Sequence, residues 1–164
     1  MKKCVFAGSF DPVTVGHEQT VIKCLKLFDE VVVGLLDNPE KTYAFSVDQR
    51  LEFLQKTFFK YGEKVRVVRH QGLLVDLLKK EGTPVYVRGI RNAVDYAYEN
   101  QTNDVNTELY PEILTVYLPC EKEYLAVSSG NVRTLLRNGK DVEKFLPAEI
   151  VTDVQRLYKE QKNV

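Results

Sequence analysis

The feature that most constrains this chain is a repeated change of hydrophobic period, from short β-branched runs to longer segments with helical spacing. The runs are Cys4-Val5-Phe6-Ala7, Val31 to Leu35, Val65 to Val68, Val85 to Val87 and Leu114 to Leu118. Several are almost continuously apolar, which suits parallel strands covered on both faces rather than the alternating strands of a half-wet sheet. Between them, Val21, Ile22, Leu25 and Phe28 share one helical face. Ser46-Val47-Asp48-Gln49 is a capping-box pattern ahead of Leu51, Leu54 and Phe58, and Leu73 to Glu81 reads as a helix stopped by Gly82 and Pro84. Further helices are expected over 95–109, 131–137 and 142–159, the last interrupted or begun at Pro147. Alternation with short connections implies right-handed βαβ units and a doubly wound parallel α/β sheet, in which ligands bind where strands end and helices begin. A length of 164 residues suits a single domain, 1–164.

Composition narrows the ligand. Lysine plus arginine equal aspartate plus glutamate at 23 each. A chain that grips a nucleic acid backbone carries a basic surplus, so a small multiply charged ligand fits better than a polyanion. The cysteines, Cys4, Cys24 and Cys120, are scattered and form no C-x-x-C pair, which argues for a reducing compartment and against a disulfide framework. With only His17 and His70, a histidine-rich zinc site is not expected. The first apolar run breaks at Gly8, too soon for a signal peptide, and no stretch approaches the ~20 apolar residues of a membrane span. The expectation is a soluble cytoplasmic protein.

Two strand-to-helix turns carry polar residues. Gly8-Ser9-Phe10-Asp11-Pro12-Val13-Thr14-Val15-Gly16-His17 leaves the first run and places His17 near a helix N-terminus, where free amides and the helix dipole favour an anion. Such a histidine can donate to phosphate oxygens, although a lone one at a helix start is more often a cap or a packing residue. The pattern is neither the dinucleotide G-x-G-x-x-G nor a Walker loop. Val85-Tyr86-Val87 delivers Arg88-Gly89-Ile90-Arg91, two guanidiniums that can surround phosphate oxygens or form a solvated turn. Lys41, in Asp37-Asn38-Pro39-Glu40-Lys41, is by composition one surface lysine among many. Ser128 and Ser129 precede the 131–137 segment, where serines cap helices and, with free amides, bind phosphate.

Taken together, these blocks resemble a family. Thr14-Val15-Gly16-His17 is similar to the H/T-x-G-H signature of the nucleotidyltransferase superfamily. The preceding Gly8 to Pro12 resembles the G-S/T-F-D-P form of phosphopantetheine adenylyltransferases. Arg88 to Glu99 resembles their R-G-I/L-R-x-x-x-D-F/Y-x-Y-E block, and Asn38 to Lys41 their N-P-x-K loop. Val127-Ser128-Ser129-Gly130 departs from the family's I-S-S-S/T, with Gly130 in place of the third hydroxyl. The likeness runs from Met1 to about Lys159.

The resemblance implies a Rossmann-like nucleotidyltransferase fold and adenylyl transfer from ATP, with Mg²⁺, to 4'-phosphopantetheine. It implies that His17, Lys41 and Arg91 serve catalysis and that Ser9, Lys41, Leu74 and Arg88 bind the acceptor. The implied ATP site comprises Ser9, Phe10, His17, Gly89, Ile90, Arg91, Glu99 and the run Tyr124, Leu125, Ala126, Val127, Ser128, Ser129 and Gly130, with no residue assigned to metal. A homohexamer and feedback by coenzyme A are implied as well. Relatives that adenylate nicotinate mononucleotide or cytidylate glycerol phosphate share H/T-x-G-H but generally lack the longer blocks. A nucleotide sensor without turnover would be expected to lose His17 or the arginines.

Overall fold

A computed structural model of the chain describes residues 1–163. Five parallel strands, β1 (Lys3–Gly8), β2 (Glu30–Leu36), β3 (Val65–His70), β4 (Val85–Ile90) and β5 (Leu114–Pro119), form one sheet in the order β3-β2-β1-β4-β5. The helices are α1 (Val15–Cys24), α2 (Val47–Phe58), α3 (Leu74–Glu81), α4 (Ala93–Leu109), α5 (Ser129–Arg137) and α6 (Val151–Lys162). The doubly wound expectation therefore holds. Alternate β1 residues face opposite layers: Cys4 and Phe6 join the larger core with Val31, Val33, Phe53 and Ile150, while Val5 and Ala7 meet Val32, Leu77 and Leu78. Each such fully buried aliphatic side chain contributes about 1.5–3 kcal/mol.

Local signals explain the helix boundaries. Ser46 and Gln49 exchange the two capping-box hydrogen bonds, at 3.2 and 2.9 Å, and Gly82 ends α3 in the left-handed region at φ 67°. Boundaries differ in places from expectation, as in α4, which starts at Ala93 rather than 95 because Asn92 is its N-cap. Leu73 is the cap of α3 rather than its first residue, and α5 starts at Ser129 because Ser128 is its N-cap. The 142–159 segment is interrupted at Pro147, as the sequence allowed, with two 3₁₀ turns, Glu143–Phe145 and Ala148–Ile150, ahead of α6. Pro147 lacks an amide and holds its neighbour out of helical geometry, so α6 forms only after the second turn.

The sheet reverses its winding between β1 and β4, the place where open α/β sheets bind ligands. The ladder there is short. β1 and β4 pair only at Val5↔Tyr86 and Phe6↔Val87, whereas β1 and β2 pair from Lys3↔Glu30 to Gly8↔Leu35. Beyond Phe6 the two strands diverge, and a crevice opens at their carboxyl ends.

Candidate active site

The floor of the crevice is the start of α1. Thr14 caps the helix and His17, three residues on, completes a reciprocal capping box. The Thr14 amide donates to His17 Nδ1 at 3.0 Å, and the His17 amide donates to Thr14 Oγ1 at 3.4 Å. An atom that accepts from an amide carries no proton, so the ring proton of neutral His17 sits on Nε2. Phe10 packs edge-on to the imidazole with centroids 5.0 Å apart, and Phe6 lies 6.2 Å away. This enclosure, reinforced by the charges of Arg88 and Arg91, lowers the imidazole to about 3. His17 is thus a neutral donor, held in one tautomer by its own helix cap. Phe10 itself sits at φ 45°, a conformation costly for a bulky residue and held here by burial of its ring.

The wall comes from β4 and α4. Arg88 donates to the Ala7 carbonyl at 2.8 Å, just where the β1–β4 ladder has ended, and to Glu99 at 2.5 Å. Arg91 is gripped by Asp95 one helical turn on, with Nε and Nη2 donating at 2.9 and 3.2 Å and the Arg91 amide donating at 3.0 Å. This bidentate pairing lowers the Asp95 carboxyl below its usual range. Gly89 stands between the arginines because α1 crosses there: a Cβ would lie 2.9 Å from Thr20 Oγ1. The Thr20 hydroxyl also donates to the Gly16 carbonyl at 3.1 Å. Cys120, after β5, lines the same pocket, and burial raises its thiol.

The remaining edge is the N-terminus of α5. Ser128 accepts from the Asn131 amide at 3.0 Å, and the Ser129 hydroxyl donates to the Pro12 carbonyl at 2.7 Å. Arg133 donates to the Asp11 carbonyl at 2.7 Å. Ser128 thus caps α5, while Ser129 and Arg133 fasten it onto the first turn. What α5 offers a ligand is its free first-turn amides, aimed at an anion as any helix start is. Neutral imidazole, two guanidiniums and a helix start surround one crevice, an arrangement suited to a polyphosphate.

Comparison with known proteins agrees. Residues 5–135 match the cytidylyltransferase-like family model. The chain is 39% identical to phosphopantetheine adenylyltransferase of Thermotoga neapolitana over 96% of its own length and 98% of the relative's. It is 40% identical to the enzyme of the same name from Flavobacterium johnsoniae, over 90% and 95%. The chain belongs to the phosphopantetheine adenylyltransferase family. A more distant likeness, 16% identity with TM-score 0.68, links it to a bifunctional NMN adenylyltransferase/ADP ribose pyrophosphatase from Francisella tularensis, solved with AMP and manganese. That match covers all of this chain but half of the larger protein, and it speaks for the fold alone.

Of the positions singled out through the phosphopantetheine adenylyltransferase pattern, His17, Arg88, Gly89, Arg91, Glu99, Val127, Ser128 and Ser129 converge on this pocket. Others stand apart from its lining. Phe10 acts from behind His17, and the Ser9 carbonyl accepts from Arg50 at 2.9 Å. Ile90 ends β4, where its carbonyl accepts from the Cys120 amide at 2.8 Å. Tyr124 closes a 3₁₀ turn, with Leu125 and Ala126 exposed after it. A Cβ at Gly130 would meet nothing nearer than 3.8 Å, so the family's hydroxyl residue would fit there without a clash. Lys41 lies on an exposed loop at the same sheet edge, and Leu74 packs beneath the sheet with Leu77 and Val5. Phe6, Thr14, Thr20, Asp95 and Cys120 line the pocket although sequence reading gave them no role. Asp95 was the most accessible of these, four residues after Arg91 on a helix and so within ion-pair reach.

Proposed function

We propose that this chain transfers the adenylyl group of ATP to 4'-phosphopantetheine, giving dephospho-coenzyme A and pyrophosphate. The observation that carries this reading is the neutral, tautomer-fixed His17 facing Arg88 and Arg91 across the β1–β4 crevice, in a chain of the phosphopantetheine adenylyltransferase family. The acceptor phosphate is already ionised at neutral pH and needs no general base. Its oxygen attacks the α-phosphorus in line. As that P–O bond forms, the bond to the β-phosphate oxygen breaks, pyrophosphate leaves, and no covalent enzyme intermediate arises. The protein supplies position and charge. In this reading His17 donates Nε2–H to an α-phosphoryl oxygen, Ser9 bridges the two substrates, and Arg88 orients the acceptor phosphate. Lys41 and Arg91 neutralise the transferring and departing phosphates, and Leu74 borders the pantetheine arm. Gly89, Ile90, Glu99 and the stretch 124–130 shape the ATP side.

ATP enters as its magnesium complex. The carboxylates lining the crevice, Asp95 and Glu99, are each bonded to an arginine, which fits an ion carried by substrate phosphates and water. We further propose that residues 1–164 act as one domain in the cytoplasm, as a homohexamer subject to feedback by coenzyme A, without nucleic acid or membrane. Among the described residues no helix is long and apolar enough to cross a membrane. Self-association is supported by α4, which buries only Asn106 and leaves Val94, Tyr98, Val105 and Leu109 exposed beside Leu114 of the edge strand. Light scattering tests it.

The deciding assay is pyrophosphate release from MgATP or MgCTP, with phosphopantetheine, nicotinate mononucleotide or glycerol phosphate as acceptor. Release is expected only with ATP and phosphopantetheine; release with another pair moves the acceptor, and none at all rejects the reading. His17→Ala should still bind ATP but lose at least about 10²-fold in turnover. Arg88→Ala should chiefly raise the KM for the acceptor.

A further inference from the structure

Arg50 is among the most deeply buried large side chains, 1% exposed, yet it does not line the crevice. Its guanidinium meets two backbone carbonyls and one carboxylate, from three separate segments. Nη1 donates to the Ser9 carbonyl at 2.9 Å and Nε to the Phe45 carbonyl at 3.2 Å, while Nη2 stands 3.7 Å from Asp37. The same guanidinium lies 3.7 Å over the ring of Tyr43. These partners frame one segment. Asp37 opens the loop between β2 and α2, Phe45 closes it, and the exposed residues 38–42 between them carry Lys41.

The tip of that loop is tied to the same hub. Tyr43, stacked on Arg50, accepts at its hydroxyl from the Asn38 amide at 3.4 Å, and the Lys41 amide donates to the Asn38 carbonyl at 3.2 Å. Asp11, in the first turn, receives the amides of Ala44 and Phe45 at 2.8 and 3.0 Å, so the closing end of the loop is held twice. Burial of a guanidinium is unfavourable unless its donors are used, and here they are used on backbone of the turn and loop flanking the site. We propose that Arg50 is a positioning residue: it clamps both ends of the 37–45 loop against the Ser9 turn, so that the Lys41 ammonium is delivered to the substrate phosphates in one geometry. The inference rests on the proposed role of Lys41.

The test is a double-mutant cycle in the full chain, with Arg50→Lys and Lys41→Ala singly and together, scored by kcat and KM in pyrophosphate release. A lysine keeps the charge but cannot bridge Ser9, Phe45 and Asp37 at once. Displacing Lys41 by about an ångström should lower kcat by roughly tenfold to 10²-fold in Arg50→Lys, while the same change made on top of Lys41→Ala should cost under about twofold. Equal losses in both backgrounds would overturn the clamp, because Arg50 would then act without Lys41. Unchanged turnover in Lys41→Ala would remove the lysine from the reaction, and the clamp with it. Should Arg50→Lys fail to fold by circular dichroism, Asp37→Asn takes its place in the cycle beside Arg69→Ala, because Arg69 also donates to Asp37 at 2.8 Å, and only a loss that Arg69→Ala does not reproduce counts for the clamp. A coupled loss supports the clamp, and an uncoupled or absent one overturns it.

Discussion

His17→Gln separates the imidazole's titration from its capping role. Glutamine at the third helical position is a regular partner in a threonine capping box, so the variant keeps an acceptor for the Thr14 amide now bonded to Nδ1. What it removes is a group held at about 3 in the fold against 6.5 when free. Because the folded value is the lower one, the unfolded chain takes up a proton that the folded chain refuses as pH falls from 6.5 towards 3. Stability is therefore complete above 6.5 and declines below it. Between pH 8 and pH 5 this one histidine should cost about 2 kcal/mol, a figure that hardly changes for any folded value below about 4. Urea denaturation at several pH values, followed by far-ultraviolet circular dichroism, measures it. His70 and the carboxylates are common to both proteins, so the comparison isolates His17. Wild type should lose about 2 kcal/mol more than His17→Gln over that interval. Parallel stability curves would show that the folded imidazole accepts its proton freely, and the neutral-donor argument would fall.

Gly89→Ala should destabilise the fold by about 1–3 kcal/mol, since its Cβ would meet the hydrogen-bonded Thr20 hydroxyl at 2.9 Å; Thr20→Ala in the same chain should restore most of that in denaturant melts. Asp95→Asn loses a charged partner of Arg91 and should raise the KM for ATP by about tenfold with little change in the melting curve, which initial-rate kinetics would read. Cys120, partly exposed at the pocket, should react with a thiol reagent before the fully buried Cys4 and Cys24. MgATP should slow that reaction, and higher pH should speed it because burial holds the thiol protonated; peptide mass mapping would show the order.

The sheet was legible because its inner β-branched runs are buried on two sides and so carry little polar punctuation, as Val31 to Leu35 does, while the edge strands keep the same residue types. Boundaries were legible where one side chain decides them, as Ser46 does for α2 and Gly82 for α3. In the 142–159 segment Pro147 marked the break, but apolar spacing through Val142, Leu146 and Ile150, all buried, hid that the backbone before Val151 forms separate turns and not helix. Periodicity reports which side chains reach the core, and a succession of 3₁₀ turns can bring them there as well as a helix. The strand order was implicit only as a class, since no local residue specifies that β4 returns to β1 rather than extending from β3.

The site divides along a similar line. Residues that would contact phosphates announce themselves by charge at strand ends, and His17, Arg88 and Arg91 meet as their positions suggested. Residues that hold those groups in place do not. Asp95 grips Arg91, Thr20 leaves space only for glycine at 89, and Arg50 joins Ser9 to Phe45; in sequence each looks like an ordinary helical residue. Their partners lie on other elements or are backbone atoms, which no pattern of residue types encodes. Asp95 is the exception, because its partner is one helical turn away. A guanidinium's reach makes Arg50 the clearest case: its neighbours Ser9 and Phe45 are 41 and 5 residues distant in sequence and share nothing but the need for a donor. Phosphate-binding groups can therefore be sought in the sequence of such a chain, whereas the supports that fix their geometry have to be sought among its buried polar side chains.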